Sequence, residues 1–100
     1  MSTKITLIID NPENPDEFEK AYAEVRQAAE TFPKVRRVES AKVWPKEDGT
    51  PTPAYRTLDL YFDSYEDASA AVATPAAGAV FGGLVGTQVT FKGLFSDIEQ

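Results

Sequence analysis

Apolar positions along the chain recur with two different periods. Ile5, Leu7 and Ile9 alternate with Thr6 and Ile8, which predicts a strand over 3–10. Apolar residues on both of its phases place that strand centrally in a sheet. Two prolines and two asparagines in 11–15 end it. Phe18, Ala21, Tyr22, Val25, Ala28, Ala29 and Phe32 then fall on one helical stripe. Pro15, Asp16 and Glu17 suit the first turn of that helix, and Pro33 stops it. Residues 35–44 predict a second strand, with Val35, Ala41 and Val43 on one face and Val38, Ser40, Lys42 and Trp44 on the other. Prolines and an Asp-Gly pair make 45–53 a loop. The third strand, 55–63, alternates most clearly: Leu58, Leu60 and Phe62 against Tyr55, Thr57, Asp59 and Tyr61. Ser64 with Asp67 forms a capping box that opens a helix burying Ala68, Ala71 and Val72. Pro75 divides this helix from a small-residue segment, 76–84, and Gly86 ends it. Residues 88–95 return to strand, and 96–100 form a polar tail.

The order is β-α-β-β-α-β in one domain, 1–100. It predicts a ferredoxin-like fold with a four-stranded antiparallel sheet and the helices on one face. The other face would carry Tyr55, Tyr61, Val38 and Trp44 beside Asp59 and Thr57. A small monomer rarely exposes that many large aromatics. The economical solution is a homodimer with sheet facing sheet around a cavity.

Composition then narrows the chemistry. The chain has no cysteine and no histidine. That removes disulfides, thiolate nucleophiles, the usual transition-metal ligands and a Ser-His-Asp triad. No metal site and no cofactor are expected. The acidic run 10–17 lacks the glycine and closing glutamate of a calcium loop, and Gly82, Gly83 and Gly86 do not have dinucleotide-fingerprint spacing. A net charge of −6 argues against a nucleic-acid partner. The N-terminal apolar run is too short for a signal or a membrane span, and Pro75 with several glycines interrupts the later one. A cytoplasmic protein without a membrane partner is expected.

Residues 10–18, then Tyr22, then 32–37 resemble the EthD-like family, in which a strand passes through a proline-rich turn into a helix bearing Phe and Tyr four apart. The segments 61–68 and 73–76 are similar to that family's second half. The resemblance spans nearly the whole chain through many small matches of order and spacing. It implies a dimeric α+β barrel and a place in bacterial catabolism, the family being associated with the degradation of ethyl tert-butyl ether. The wider superfamily includes cofactor-free monooxygenases and cyclases. The chain departs from the pattern where Arg26 and Ala21 stand at positions that carry histidine in the family, and Lys34 where it has glycine. Chemistry resting on those histidines is not implied here.

Two residues are candidates for catalysis. Asp59 points between Thr57 and Tyr61, where desolvation would make it a general base; alternatively it pairs with Lys42 or Lys92. Tyr22 either carries a reactive hydroxyl or is a core aromatic. Arg26 is a candidate anchor for a ligand carboxylate, or else a solvated partner of Glu30. Trp44, Tyr55, Thr57 and Tyr61 would line a pocket for a small apolar or aromatic ligand, or form the apolar centre of the dimer interface. Three functions fit: a ligand-binding or accessory protein, a cofactor-independent monooxygenase or cyclase-like enzyme acting on an aromatic or polyketide-like substrate, and a structural assembly module.

Overall fold

The computed structural model describes residues 2–99. Its elements are β1 (Thr3–Ile9), α1 (Pro15–Ala29), β2 (Arg37–Lys42), β3 (Arg56–Phe62), α2 (Tyr65–Ala71), α3 (Pro75–Gly86) and β4 (Phe91–Asp97). The strands form one antiparallel sheet in the order β2-β3-β1-β4, so β1 is central as its two apolar phases require. Ile5, Leu7 and Ile9 of β1 and Leu58, Leu60 and Phe62 of β3 point to one face. There they pack with Phe18, Tyr22 and Val25 of α1, Ala68 and Ala71 of α2, and Val80 and Leu84 of α3. The molecule is thin, 17 Å across its shortest axis, because it has one sheet layer and one helix layer. The sheet's second face is bare.

Local chemistry accounts for the element ends. Asn14 caps α1 by accepting from the Glu17 amide at 3.2 Å, and Pro15 occupies the first turn. The helix ends at Ala29, before Pro33, because the chain tightens there: the Thr31 amide and hydroxyl both donate to the Ala28 carbonyl, at 3.0 and 2.7 Å. Only half of the capping box at Ser64 forms. Its hydroxyl accepts from the Asp67 amide at 3.1 Å, but the Asp67 carboxylate turns to Lys34 Nζ, 3.5 Å away. Pro75 starts α3 at a bend of 67° from α2, and no single helix among the described residues is long and apolar enough to cross a membrane.

Four glycines interrupt α3, each weakening it by about 0.5–1 kcal/mol relative to alanine. Gly83 has a packing reason: an added Cβ would lie 2.8 Å from Val25 Cγ2. Gly86 closes the last helical turn, and the left-handed residue that follows is Gln88, φ 65°. Lys34 is left-handed too, with φ 62°. Its conformation explains why a glycine would suit that position. Lys34→Gly is expected to stabilise the protein by about 0.5–1 kcal/mol. The exposed ion pair it loses contributes little. A lower urea midpoint for the variant would contradict this.

Two strand assignments need correction. β2 is shorter than 35–44 and its faces are reversed. Val38 pairs with Leu60 and Ser40 with Leu58, so both lie on the helix side, while Ala41 lies on the bare face. With one valine and one alanine in six residues, β2 has too weak an apolar pattern to set its own face. β4 starts later than 88 and runs to Asp97. The would-be tail is held by the Thr3 hydroxyl donating to Asp97 at 2.8 Å and the Ile98 amide donating to the Ser2 carbonyl at 2.8 Å.

Candidate functional site

The seven residues singled out in the sequence divide between the two sides of the sheet. Thr57, Asp59 and Tyr61 lie on the bare face, and Tyr22 and Tyr55 on the helix side. Trp44 and Arg26 belong to neither. Trp44 is 88% exposed beyond the end of β2, since Val43 makes the last bond to β3 through the Tyr55 carbonyl. Arg26 is exposed on α1 and, among the described residues, makes no ion pair with Glu30 or any other acid.

Tyr55 departs from the alternation that placed it with Thr57. It precedes β3, and the regular alternation begins only at Arg56. Its ring meets Phe18 edge-on at 5.6 Å, and its hydroxyl donates to Glu19 Oε2 at 2.9 Å. That contact joins a polar cluster beneath α1. Arg56 donates to both Glu19 oxygens, Nε at 2.9 Å and Nη2 at 2.6 Å, and its guanidinium carbon lies 4.7 Å from the Tyr22 ring centre. The Tyr22 and Ser40 hydroxyls are bonded at 2.7 Å. Hydrogen bonds from Arg56 hold the Glu19 carboxyl below its usual range, against the upward push of burial. Burial raises the pKa of Tyr22, a residue that is 2% exposed. Glu19, Ser40 and Arg56 gave no sign in the sequence, because only strand register and the packing of α1 on the sheet bring them together.

The bare face has a different character. Cross-strand register arranges its residues in three rows: Ala41, Thr57, Ile8 and Lys92; Glu39, Asp59, Thr6 and Leu94; Arg37, Tyr61, Lys4 and Ser96. Asp59 accepts from the Thr6 hydroxyl beside it and lies 3.9 Å from Lys4 Nζ. Its cationic neighbour is therefore Lys4, two residues along β1, and neither Lys42 nor Lys92. Lys42 sits on the helix side, 5.4 Å from the Tyr55 ring, and Lys92 is beyond β1. The Tyr61 hydroxyl donates to Glu39 Oε1 at 2.7 Å, and Arg37 and Lys4 stand 4.3 and 5.9 Å from its ring centre. A shallow hollow of about 420 Å³ opens at this end, bordered by Lys4, Arg36, Arg37 and Tyr61. The face is thus less apolar than expected: Val38 and Tyr55 are on the other side, Trp44 lies beyond β2, and Tyr61 stands among paired charges. It carries three cations against two carboxylates on a chain whose net charge is −6. Lys4, Thr6, Arg37 and Glu39 were not singled out, since single charged residues on strands carry no signal without a register.

Solved structures share this fold. An ethyl tert-butyl ether degradation (EthD) family protein from Bacillus halodurans superposes with a TM-score of 0.83 at 17% identity, covering 99% of this chain and 100% of that one. A dimeric ferredoxin-like protein of unknown function from Thermobifida fusca gives 0.77 at 10% identity, covering 98% and 92%. A cofactor-independent oxygenase from Streptomyces nogalater gives 0.73 at 13%, covering 99% and 94%. At these identities the likeness is one of fold. No protein-family pattern matches the chain, and no curated protein does.

Proposed function

We propose that the chain is an EthD-like protein that dimerises through its bare sheet face and binds a small ligand there, as a binding or accessory protein of bacterial small-molecule catabolism. The observation that carries this reading is the bare face itself, with an ordered set of side chains at its centre. Two sheets packed face to face lie about 10 Å apart. Tyr61 and Arg37 fill that spacing at one end, while Thr6, Thr57 and Ala41 are short and leave room between the layers. A ligand with an aromatic body and an anionic group would lie against Tyr61 and meet Lys4 and Arg37, with Asp59 and Thr57 as its hydrogen-bonding partners. A role in ether degradation rests on the family resemblance alone, and cytoplasmic residence is a proposal from the sequence pattern.

Anilinonaphthalene sulfonate, an aromatic anion, serves as probe. It is expected to bind saturably to the native protein and about tenfold more weakly to Tyr61→Ala, a loss of about 1.4 kcal/mol. Equal affinities would contradict the assignment.

The enzyme reading has one observation of its own: the fold shared with a cofactor-independent oxygenase. In that reading Asp59 accepts the substrate proton, or the Tyr22 hydroxyl takes part after α1 moves aside. Oxygen uptake with a phenolic substrate, abolished in Asp59→Asn or in Tyr22→Phe, would favour it. No uptake across a panel of phenols leaves the binding role.

A further inference from the structure

The charges of the bare face are sorted by row. The end row, Arg37, Tyr61, Lys4 and Ser96, holds two cations and no acid. The middle row, Glu39, Asp59, Thr6 and Leu94, holds both carboxylates and no cation. This sorting decides how a second copy can lie on the face. Two stacked sheets with nearly aligned strands are related by a twofold axis running either across the strands or along them. An axis across the strands that covers all three rows lays the middle row on itself. Asp59 then faces the partner's Asp59 and Glu39 the partner's Glu39, like charges in an interface that excludes water. Shifting that axis by one row leaves an outer row of each copy uncovered. An axis along the strands avoids both faults. It lays β3 on the partner's β1 and β2 on the partner's β4, because the strand order is β2-β3-β1-β4. Asp59 then faces the partner's Thr6, Arg37 the partner's Ser96, and Tyr61 the partner's Lys4, and no charge faces its like.

That arrangement brings both end rows to the same end of the sandwich. The two hollows of about 420 Å³ beside Tyr61 join there, with Lys4 and Arg37 of both copies around them. Each cation meets one acid of the middle row, Lys4 with Asp59 at 3.9 Å and Arg37 with Glu39 at 3.5 Å, which leaves N–H groups over. Both carboxylates also accept a hydroxyl hydrogen, Asp59 from Thr6 and Glu39 from Tyr61. Arg36, at the border, faces Asp63 at 3.4 Å. Cations of two copies gathered at one end repel one another unless an anion lies among them. On the reading of the bare face as interface and ligand site, we infer that the site is a single composite one on the twofold axis, holding one aromatic dianion per two chains. Its flat body lies between the two Tyr61 rings. Each of its two anionic groups meets Arg37 of one copy and Lys4 of the other. The two half-sites are about two strand spacings apart, roughly 10 Å, so the anionic groups stand at opposite ends of the ligand. One chain alone supplies only half of each.

The probe is a naphthalenedisulfonate with its sulfonates at opposite ends, titrated calorimetrically into the full-length protein where light scattering shows the dimer. One molecule should bind per two chains and should tighten the dimer. Naphthalenesulfonate, with one anionic group, should bind about tenfold more weakly. Lys4→Met and Arg37→Met should each weaken the disulfonate about tenfold with an unchanged circular dichroism spectrum. Glu39→Gln, which releases Arg37, should strengthen the disulfonate and loosen the ligand-free dimer. One disulfonate per chain, or equal affinity for the two probes, overturns the inference and leaves the bare face as interface and ligand site. So does a dimer that binds anilinonaphthalene sulfonate but not the disulfonate. A ligand-free dimer tightened by Glu39→Gln would set the carboxylates face to face and overturns it as well. A protein that stays monomeric with and without the probe overturns both the inference and the reading beneath it.

Discussion

Arg56→Met is expected to lower the unfolding free energy by about 2 kcal/mol at neutral pH and to remove the part of the protein's acid sensitivity that comes from Glu19. Arg56 is mostly buried and bonds Glu19 through two nitrogens, at 2.9 and 2.6 Å. Methionine keeps the stem's packing and leaves Glu19 with the Tyr55 hydroxyl alone. Glu19 is partly exposed, so water recovers some of the loss, and the effect falls below that of a fully buried pair. The sign with pH follows from the Glu19 carboxyl, which Arg56 holds below its usual value. The pair's contribution is full above the unfolded glutamate value of about 4.3 and is lost as pH falls through the lower folded value. Urea titrations at about pH 7 and about pH 3 should show a larger difference between native protein and variant at the first than at the second. A difference that does not change with pH would mean that the ion pair adds nothing.

Thr57→Lys is expected to raise the dimer dissociation constant about a hundredfold or more, about 2.7 kcal/mol, with little effect on the folded monomer. Thr57 sits mid-strand on the bare face, between Ala41 and Ile8. In a monomer a lysine there is solvated, its stem lying along the sheet. In a face-to-face dimer its ammonium loses water without a matching acid, because the carboxylates nearby, Asp59 and Glu39, already accept from Thr6 and Tyr61. Sedimentation velocity across a concentration series measures the shift. Thr57→Val, which adds no charge, should leave the association intact. If both variants associate like the native protein, the bare face is not the interface.

The fold was legible in the sequence wherever one face of an element had a dense apolar pattern. β1 and β3 alternate strongly, α1 has a continuous stripe, and Pro75 marks the break between α2 and α3; each stands where the pattern placed it. β2 was legible as a strand but not in its orientation, because RVESAK lacks the apolar residues that would decide which side faces the core. Its reversal moved Val38 and Ser40 to the helix side, and with Tyr55 held by Glu19 and Phe18 the expected aromatic face became a charged one. The candidate site was legible only in part for the same reason. Thr57, Asp59 and Tyr61 were found from the alternation of β3. Their partners Thr6, Lys4 and Glu39 follow from register, a property of paired strands that no single strand displays.

The central claim, that the bare sheet face is covered by a second copy of the chain, is tested most directly by the solution mass of the native protein. Light scattering coupled to size-exclusion chromatography at micromolar concentration should return about 22 kDa, twice the 10.9 kDa of the chain. A single species at 10.9 kDa would contradict it.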